Sequence, residues 1–196
     1  MKNKQTLIPR KELESVYGIY LKGQINEAIK QVKILNNKYP NQPILFNLIG
    51  ACFKELGQLE NSIKMFKIAV KLNPNYAEGY FNLGVALQSV DQEKEAVESY
   101  KKAIKILPGY YDAHNNLGHL FFGLGDFAKA IESLEWAVAY KHDFAEAYNN
   151  LGNALNEYGM VDKAIENFHK AIKYNPSYAK AYFNLALVFK SFNSPI

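Results

Sequence analysis

The chain has 196 residues, of which 48% are hydrophobic and 21% charged, and this composition excludes an intrinsically disordered protein. A single cysteine, Cys52, excludes an intramolecular disulfide and a thiolate metal cluster. The formal net charge of +4 leaves nucleic-acid binding open until the lysines are placed along the chain. No apolar run reaches the roughly 20 residues of a transmembrane helix, and the first residues lack the apolar segment of a signal peptide. We therefore expect a cytoplasmic protein.

A period of 34 residues organises the chain, as the distances between successive leucine columns show. These columns, in which a small residue follows the leucine, are Leu83-Gly84, Leu117-Gly118, Leu151-Gly152 and Leu185-Ala186. Turn residues return with the same period at Gly23, Gly57, Asp91, Gly125 and Gly159. In chain order the spacing predicts an N-terminal segment 1–8, repeats 9–42, 43–76, 77–110, 111–144 and 145–178, and a terminal half repeat 179–196. We expect the repeats to form a single domain, 9–196.

Each repeat predicts two helices. In the third repeat Tyr80, Leu83 and Leu87 form an apolar stripe at helical spacing on the first helix, and Ala96 begins a similar stripe on the second. The small side chains of Gly84 and Ala96 would let the two helices approach closely. The column after the closing proline predicts the N-cap of the next first helix, at Asn41, Asn75, Gly109, Asp143 and Ser177.

This helix–turn–helix pattern resembles the tetratricopeptide repeat, which has an aromatic residue at position 4, Leu-Gly at 7–8, Ala at 20, an aromatic at 24 and Pro at 32. The resemblance covers 43–192 strongly and 9–42 more loosely, since Glu12 and Ser15 stand in columns that are apolar elsewhere. A terminal repeat has no preceding neighbour to cover that face, so polar residues are expected there. The resemblance implies an all-α, right-handed superhelical solenoid of five repeats plus one terminal helix.

Candidate catalytic and metal-binding residues do not assemble on this pattern. His114 and His119 are five residues apart, whereas two histidines that share a zinc ion on one helix stand four apart. His114 occupies the aromatic column of Tyr80 and Tyr148, which predicts a packed side chain, and Cys52 is predicted to be a core residue. The glycines recur singly and form no phosphate-binding loop. We therefore expect no catalytic residue, no metal, no cofactor and no enzymatic activity.

The resemblance implies that positions 2, 5, 6, 9, 12 and 13 of the repeats line a concave groove in which partners bind. Asparagine dominates these columns, and its amide can bond both the N–H and the C=O of an extended chain. Aromatic side chains there would add apolar anchors. The predicted peptide-binding residues are Glu78, Phe81, Asn82, Asn115, Asn116, His119, Phe122, Asn149, Asn150, Asn153, Asn156 and Asn184. The asparagine run is similar to that in the repeats of O-GlcNAc transferase.

The nature of the partner follows from what the groove columns contain and lack. Asparagine at position 6 is common throughout the family, so a scaffold without a peptide ladder is an alternative. The basic clamp that holds chaperone tails needs lysine at position 5, where this chain has Asn47, Phe81, Asn115, Asn149 and Phe183. Lysines fall mainly on second helices, which face outward in this family. We expect a protein or an extended peptide as partner, no nucleic acid and no membrane.

Two further hypotheses stay open. Similar repeats precede glycosyltransferase, sulfotransferase and oxygenase domains, so the chain would alternatively be the substrate-recruiting arm of a larger enzyme, which a reading frame continuing past Ile196 would reveal. The second hypothesis is a homodimer through the C-terminal helix 179–192. Its apolar residues Tyr182, Leu185, Phe189 and Phe192 would have no second helix to cover them.

Overall fold

The computed structural model describes residues 7–193, with side chains as far as residue 190. Within this range the chain forms eleven α-helices and no β-strand. The helices are α1 Arg10–Leu21, α2 Ile25–Lys38, α3 Pro43–Glu55, α4 Leu59–Leu72, α5 Ala77–Gln88, α6 Glu93–Ile106, α7 Tyr111–Gly123, α8 Phe127–Tyr140, α9 Ala145–Glu157, α10 Val161–Tyr174 and α11 Ala179–Asn193. The predicted all-α fold of five helix pairs plus a terminal helix is confirmed.

The helices fall into two compact units. The first unit ends at Ile106 and contains α1 to α6, and the second begins at Leu107 and contains α7 to α11. Within each unit the two helices of a repeat pack together, and a second helix also packs against the first helix of the repeat that follows it. The single domain spanning 9–196 stays a prediction. No helix in the described part of the chain is both long enough and apolar enough to cross a bilayer.

Glycine in the leucine-glycine columns allows the helices of a repeat to approach closely. A Cβ atom on Gly84 would lie 2.7 Å from Cε1 of Tyr100, and one on Gly152 would lie 2.6 Å from Cε1 of Phe168. Tyr100 is fully buried, as is Ala96 on the same helix. The close approach predicted from Gly84 and Ala96 is therefore present, and the aromatic ring from the second helix occupies the space of the missing side chain.

The turn between the two helices requires a left-handed backbone conformation. Gly23, Gly57, Gly125 and Gly159 have φ values of 73°, 70°, 75° and 88°, and Asp91 adopts the same conformation with φ 56°. This region is disfavoured for residues that carry a Cβ atom. The turn column of the sequence thus reports a backbone requirement, which Asp91 meets with some strain.

The N-cap prediction was wrong by one residue. The cap of α5 is Tyr76 and that of α9 is Phe144, and neither makes a side-chain capping hydrogen bond. Asn75 belongs to the preceding turn, in which Oδ1 of Asn73 accepts a hydrogen bond from the Asn75 backbone N–H at 3.0 Å. Asparagine serves such turns as well as helix caps, so the sequence pattern fitted both.

Glu12, which stands in a column that is apolar in the other repeats, joins the two helices of the first repeat. Its Oε1 accepts hydrogen bonds from Nζ of Lys38 at 2.8 Å and from the hydroxyl of Tyr39 at 2.9 Å. These bonds, the one from Lys38 foremost, lower the pKa of the Glu12 carboxyl below its ordinary value. A charged hydrogen bond therefore replaces the apolar contact of later repeats.

Candidate functional site

The first helices of the second unit surround a cavity of about 570 Å³, which we call the amide groove. Its lining residues come from α7, α9 and α11 and from the turn before α11: Asn115, Asn116, His119, Phe122, Glu146, Asn149, Asn150, Asn153, Tyr178, Lys180 and Asn184. Six of these eleven residues are asparagines. The groove therefore offers mainly uncharged hydrogen-bonding groups, on three successive first helices.

Two of the asparagines are buried between repeats. Asn115 is 2% exposed and Asn149 is 3% exposed. Nδ2 of Asn150 donates to Oδ1 of Asn115 at 3.0 Å, and Nδ2 of Asn184 donates to Oδ1 of Asn149, also at 3.0 Å. In each case an asparagine at position 5 accepts a hydrogen bond from an asparagine at position 6 of the next repeat. Buried polar groups need such partners, and these bonds tie neighbouring first helices together.

The first unit contains the same arrangement. Nδ2 of Asn82 donates to Oδ1 of Asn47 at 3.0 Å, and Asn47 is 2% exposed. Nδ2 of Asn47 in turn donates to Oε1 of Glu78 at 3.2 Å. We call each such asparagine pair an amide clamp; the described residues contain three, Asn47–Asn82, Asn115–Asn150 and Asn149–Asn184.

Glutamate supports the clamp in two of the three cases. Glu146 accepts a longer hydrogen bond of 3.4 Å from Nδ2 of Asn115, at the position that Glu78 occupies in the first unit. The third clamp has Lys180 at this position. Lys180 is exposed and lines the amide groove, as Glu146 does, so the groove carries one charged group of each sign.

The remaining groove side chains are the accessible ones. Asn116, Asn150 and Asn153 are half-buried, and His119 is exposed. Among the residues that the structure describes, neither Asn153 nor His119 has a side-chain hydrogen-bond partner. The Oδ1 atoms of Asn150 and Asn184 accept no hydrogen bond from the described residues, so they are available as acceptors for a ligand.

Burial raises the pKa of two groups near the groove. Desolvation raises the pKa of the Tyr178 phenol above its ordinary value, and the carboxylate of Glu146 adds to this rise. Desolvation also raises the pKa of the Asp112 carboxyl, an effect that Lys141 opposes. Tyr178 therefore stays a neutral hydroxyl at the edge of the groove, able to donate or accept a hydrogen bond.

In the described part of the chain, no group of three or more His, Cys, Asp or Glu side chains comes together that could hold a metal ion. His114 packs as predicted: its ring stacks on Tyr140 with centroids 5.7 Å apart, and its Nε2 lies 2.8 Å from the Pro108 carbonyl oxygen. Burial lowers the pKa of His114. Cys52 is fully buried, and this raises the pKa of its thiol to about 11.

The structure brings eight of the twelve predicted peptide-binding residues together around the amide groove: Asn115, Asn116, His119, Phe122, Asn149, Asn150, Asn153 and Asn184. Asn156 lines an adjoining cavity of about 280 Å³, to which Phe122, Asn153 and Asn184 also contribute. The groove columns of the second unit therefore do lie side by side on one surface.

The other three predicted residues, Glu78, Phe81 and Asn82, lie in the first unit. Asn82 forms an amide clamp with Asn47, and Glu78 accepts a hydrogen bond from Asn47. Phe81 packs against Tyr100 with ring centroids 6.0 Å apart.

The prediction missed Glu146, Tyr178 and Lys180, which also line the groove. Glu146 and Lys180 share position 2 with Glu78, so the column that identified Glu78 would have identified them too. Tyr178 stands in the turn before α11, outside the predicted columns.

The terminal helix α11 exposes several large apolar side chains. Tyr182 is 48% exposed, Phe183 63%, Leu187 49% and Phe189 45%, whereas Leu185 is buried. The side chain of Phe192, which the homodimer hypothesis also invokes, lies outside the described residues.

The chain matches a family model described as "Tetratricopeptide repeat" at residues 145–178. A second model, described as "TPR repeat", matches at 50–90, 92–125 and 118–159. No curated protein sequence matches the chain.

Several solved structures are similar. The crystal structure of a MamA protein is 28% identical, with a TM-score of 0.73 over 86% of this chain and 92% of that one. MamA from Desulfovibrio magneticus RS-1 is 21% identical, with a TM-score of 0.74 over 86% of this chain and 96% of that one. YrrB, described as a TPR protein with an unusual peptide-binding site, is 18% identical, with a TM-score of 0.72 over 93% of each chain. The last two show similarity of fold alone.

Proposed function

Because this chain belongs to the tetratricopeptide repeat family, we propose that it is a non-catalytic interaction module that binds an extended peptide or protein segment in the amide groove. The observation that supports the proposal is the convergence of six asparagines from three successive first helices on one cavity. Such a surface repeats the same donor and acceptor groups at intervals, as the main chain of an extended peptide does. The similar protein YrrB is itself described as having a peptide-binding site.

The asparagines divide into two roles in this proposal. Asn115 and Asn149 are buried and position their neighbours through the clamps. Asn116, Asn150 and Asn153 contact the main chain of the ligand. Phe122 is half-buried and supplies an apolar contact for a ligand side chain, in keeping with the role of aromatic residues at binding sites.

A triple substitution of Asn116, Asn150 and Asn153 by Ala tests the proposal. Tagged parent and variant are used to capture proteins from a cell lysate, and the bound proteins are compared by mass spectrometry. We expect the triple variant to lose the proteins that the parent captures while keeping its helical circular dichroism. The control replaces Asn37 and Asn61 by Ala; both lie on second helices, neither lines the groove, and this variant should capture the same proteins as the parent. Capture of the same proteins by parent and triple variant would refute the proposal.

The exposed apolar face of α11 supports a second candidate, self-association through the helix 179–192. Phe183 and Leu187 are large apolar side chains that are largely exposed, and neighbouring exposed apolar side chains can mark an interaction site. Replacing both by Ser should convert a dimer to a monomer in light scattering, and a parent chain that stays monomeric at high concentration would exclude this candidate.

If the chain is the substrate-recruiting arm of a larger enzyme, the amide groove would bind the substrate of that enzyme. The triple variant would then lose substrate capture.

A further inference from the structure

We propose that a second, lysine-lined groove in the first unit binds an acidic peptide segment that also carries apolar anchor residues. The groove lies between α4 and α6, over α5, and its cavity has a volume of about 550 Å³. Val70 and Leu83 contribute its apolar floor together with Tyr80. This site shares no residue with the amide groove, so the inference goes beyond the proposed function.

Lysines stand on both rims of this groove. Lys67 and Lys71 come from α4, and Lys94 and Lys102 come from α6. A neighbouring cavity shares Tyr80 and Lys102 with the lysine-lined groove and is also lined by Lys105. The cationic surface therefore continues past one end of the apolar floor.

These lysines have no carboxylate partner in the described part of the chain. None of the five lysines takes part in an ion pair there, and Lys102 instead lies 5.3 Å from the ring centroid of Tyr80. Of the two glutamates in the groove, Glu98 is paired with Lys101, which lies outside it, at 3.5 Å. The groove thus has an excess of unpaired positive charge around an apolar floor.

The repeats themselves show that the fold does not require lysine at two of these positions. Two repeats later, 68 positions along the chain, Glu135 stands in place of Lys67 and Asp162 in place of Lys94. Both positions again lie on second helices, α8 and α10. The charge of this surface therefore differs between repeats that share one packing pattern, as expected of a surface whose charge serves binding and not folding.

The shape of the groove favours a peptide over a fatty acid or a flat anionic membrane. A fatty acid carries a single carboxylate and would leave the lysines of one rim unpaired. A flat anionic membrane would contact the rims, yet would leave the floor between them empty. A peptide with apolar side chains on one face and carboxylates on both flanks pairs with both rims and fills the floor. Charge complementarity of this kind also accelerates encounter between partners.

The test uses the full chain and a fluorescein-labelled peptide helix of about twelve residues, with Leu along one face and Glu on both flanks. We expect saturable binding that weakens as salt is added, since partly exposed ion pairs are screened. The variant Lys67→Glu with Lys94→Asp introduces the residues that the later repeats carry at these positions, and it should weaken binding about tenfold or more. A peptide with Lys on its flanks should bind this variant better than it binds the parent.

A charge-matched control variant, Lys64→Glu with Lys163→Asp, changes exposed lysines that do not line the groove and should bind like the parent. Equal binding of peptides with Glu and with Gln flanks would overturn the proposal, as would absence of saturable binding at millimolar peptide. Tighter binding of phosphatidylserine vesicles or of oleate, lost in the same variant, would overturn it in favour of a lipid ligand.

Discussion

Removal of the Asn149 side chain tests whether the amide clamps hold successive repeats together. Asn149 is 3% exposed, and its Oδ1 accepts the hydrogen bond of 3.0 Å from Asn184. A hydrogen bond of this kind contributes about 1 kcal/mol net, and leaving a partly buried donor without its acceptor raises the cost to about 1–3 kcal/mol. We expect Asn149→Ala to destabilise the protein by about 2 kcal/mol, and a loss of this size should lower the melting temperature by roughly 4–8 °C.

Thermal and urea unfolding of four proteins isolate the clamp from other effects of the substitution. The set comprises the parent, Asn149→Ala, Asn184→Ala and the double variant, and the double-mutant cycle gives the coupling energy between the two amides. We expect a coupling of about 1 kcal/mol. Hydrogen exchange should also quicken in α11, because the clamp links that helix to α9.

Asn153→Ala provides the matched control. It makes the same substitution on the same helix, at a side chain that has no hydrogen-bond partner among the described residues. Its effect on stability should stay within about 0.5 kcal/mol. A coupling energy near zero, together with unchanged exchange in α11, would show that the clamps do not hold the repeats together.

Three further predictions concern residues of the first unit. Gly84→Ala should destabilise by about 1–3 kcal/mol in urea unfolding, because its Cβ would meet the buried ring of Tyr100; Gly18→Ala, at an open position on α1, should stabilise by up to about 1 kcal/mol. Asp91→Gly should raise the melting temperature, since it relieves about 1 kcal/mol of left-handed strain, and a lower melting temperature would contradict that reasoning. The Cys52 thiol, with a folded pKa of about 11 against an ordinary 9.0, should react with Ellman's reagent only on unfolding. The contribution of the protonated Cys52 thiol to the free energy of unfolding should be intact below pH 9 and fall as the pH rises towards 11, because the folded state holds the proton more tightly. An unfolding free energy that does not change with pH over that range would contradict this prediction.

The repeat architecture could be predicted because each recurring column reports a separate local requirement. Glycine recurs at the turn where the backbone is left-handed. It also recurs in the column of Gly84, where a large side chain from the second helix occupies the space of a Cβ atom. The helix caps could not be predicted with the same certainty. Asn75 has a residue type suited both to capping a helix and to the turn before it, and only the geometry shows that Asn73 bonds it within the turn.

The sequence predicted which repeat positions line the candidate site. It did not predict which of these side chains are buried between repeats and which are accessible to a ligand. Asn115 and Asn116 are adjacent in sequence and chemically identical, so the sequence presents them as a doubled contact for a ligand. Packing against the next first helix buries Asn115 and leaves Asn116 accessible. That difference arises from the contact between successive repeats, which the pattern within one repeat does not show.

The clamps give the amide groove a fixed hydrogen-bonding polarity, which links its stability to the proposed binding. Because Nδ2 of Asn150 and Asn184 is held by the preceding repeat, their Oδ1 atoms are fixed as acceptors and suit the N–H groups of a peptide. Donors for the peptide carbonyls come from the second N–H of each of these amides, which the clamp does not use, and from Asn153 and Lys180. Asn149→Ala should therefore weaken ligand binding, even though Asn149 itself is buried and its effect passes through the amide of Asn184.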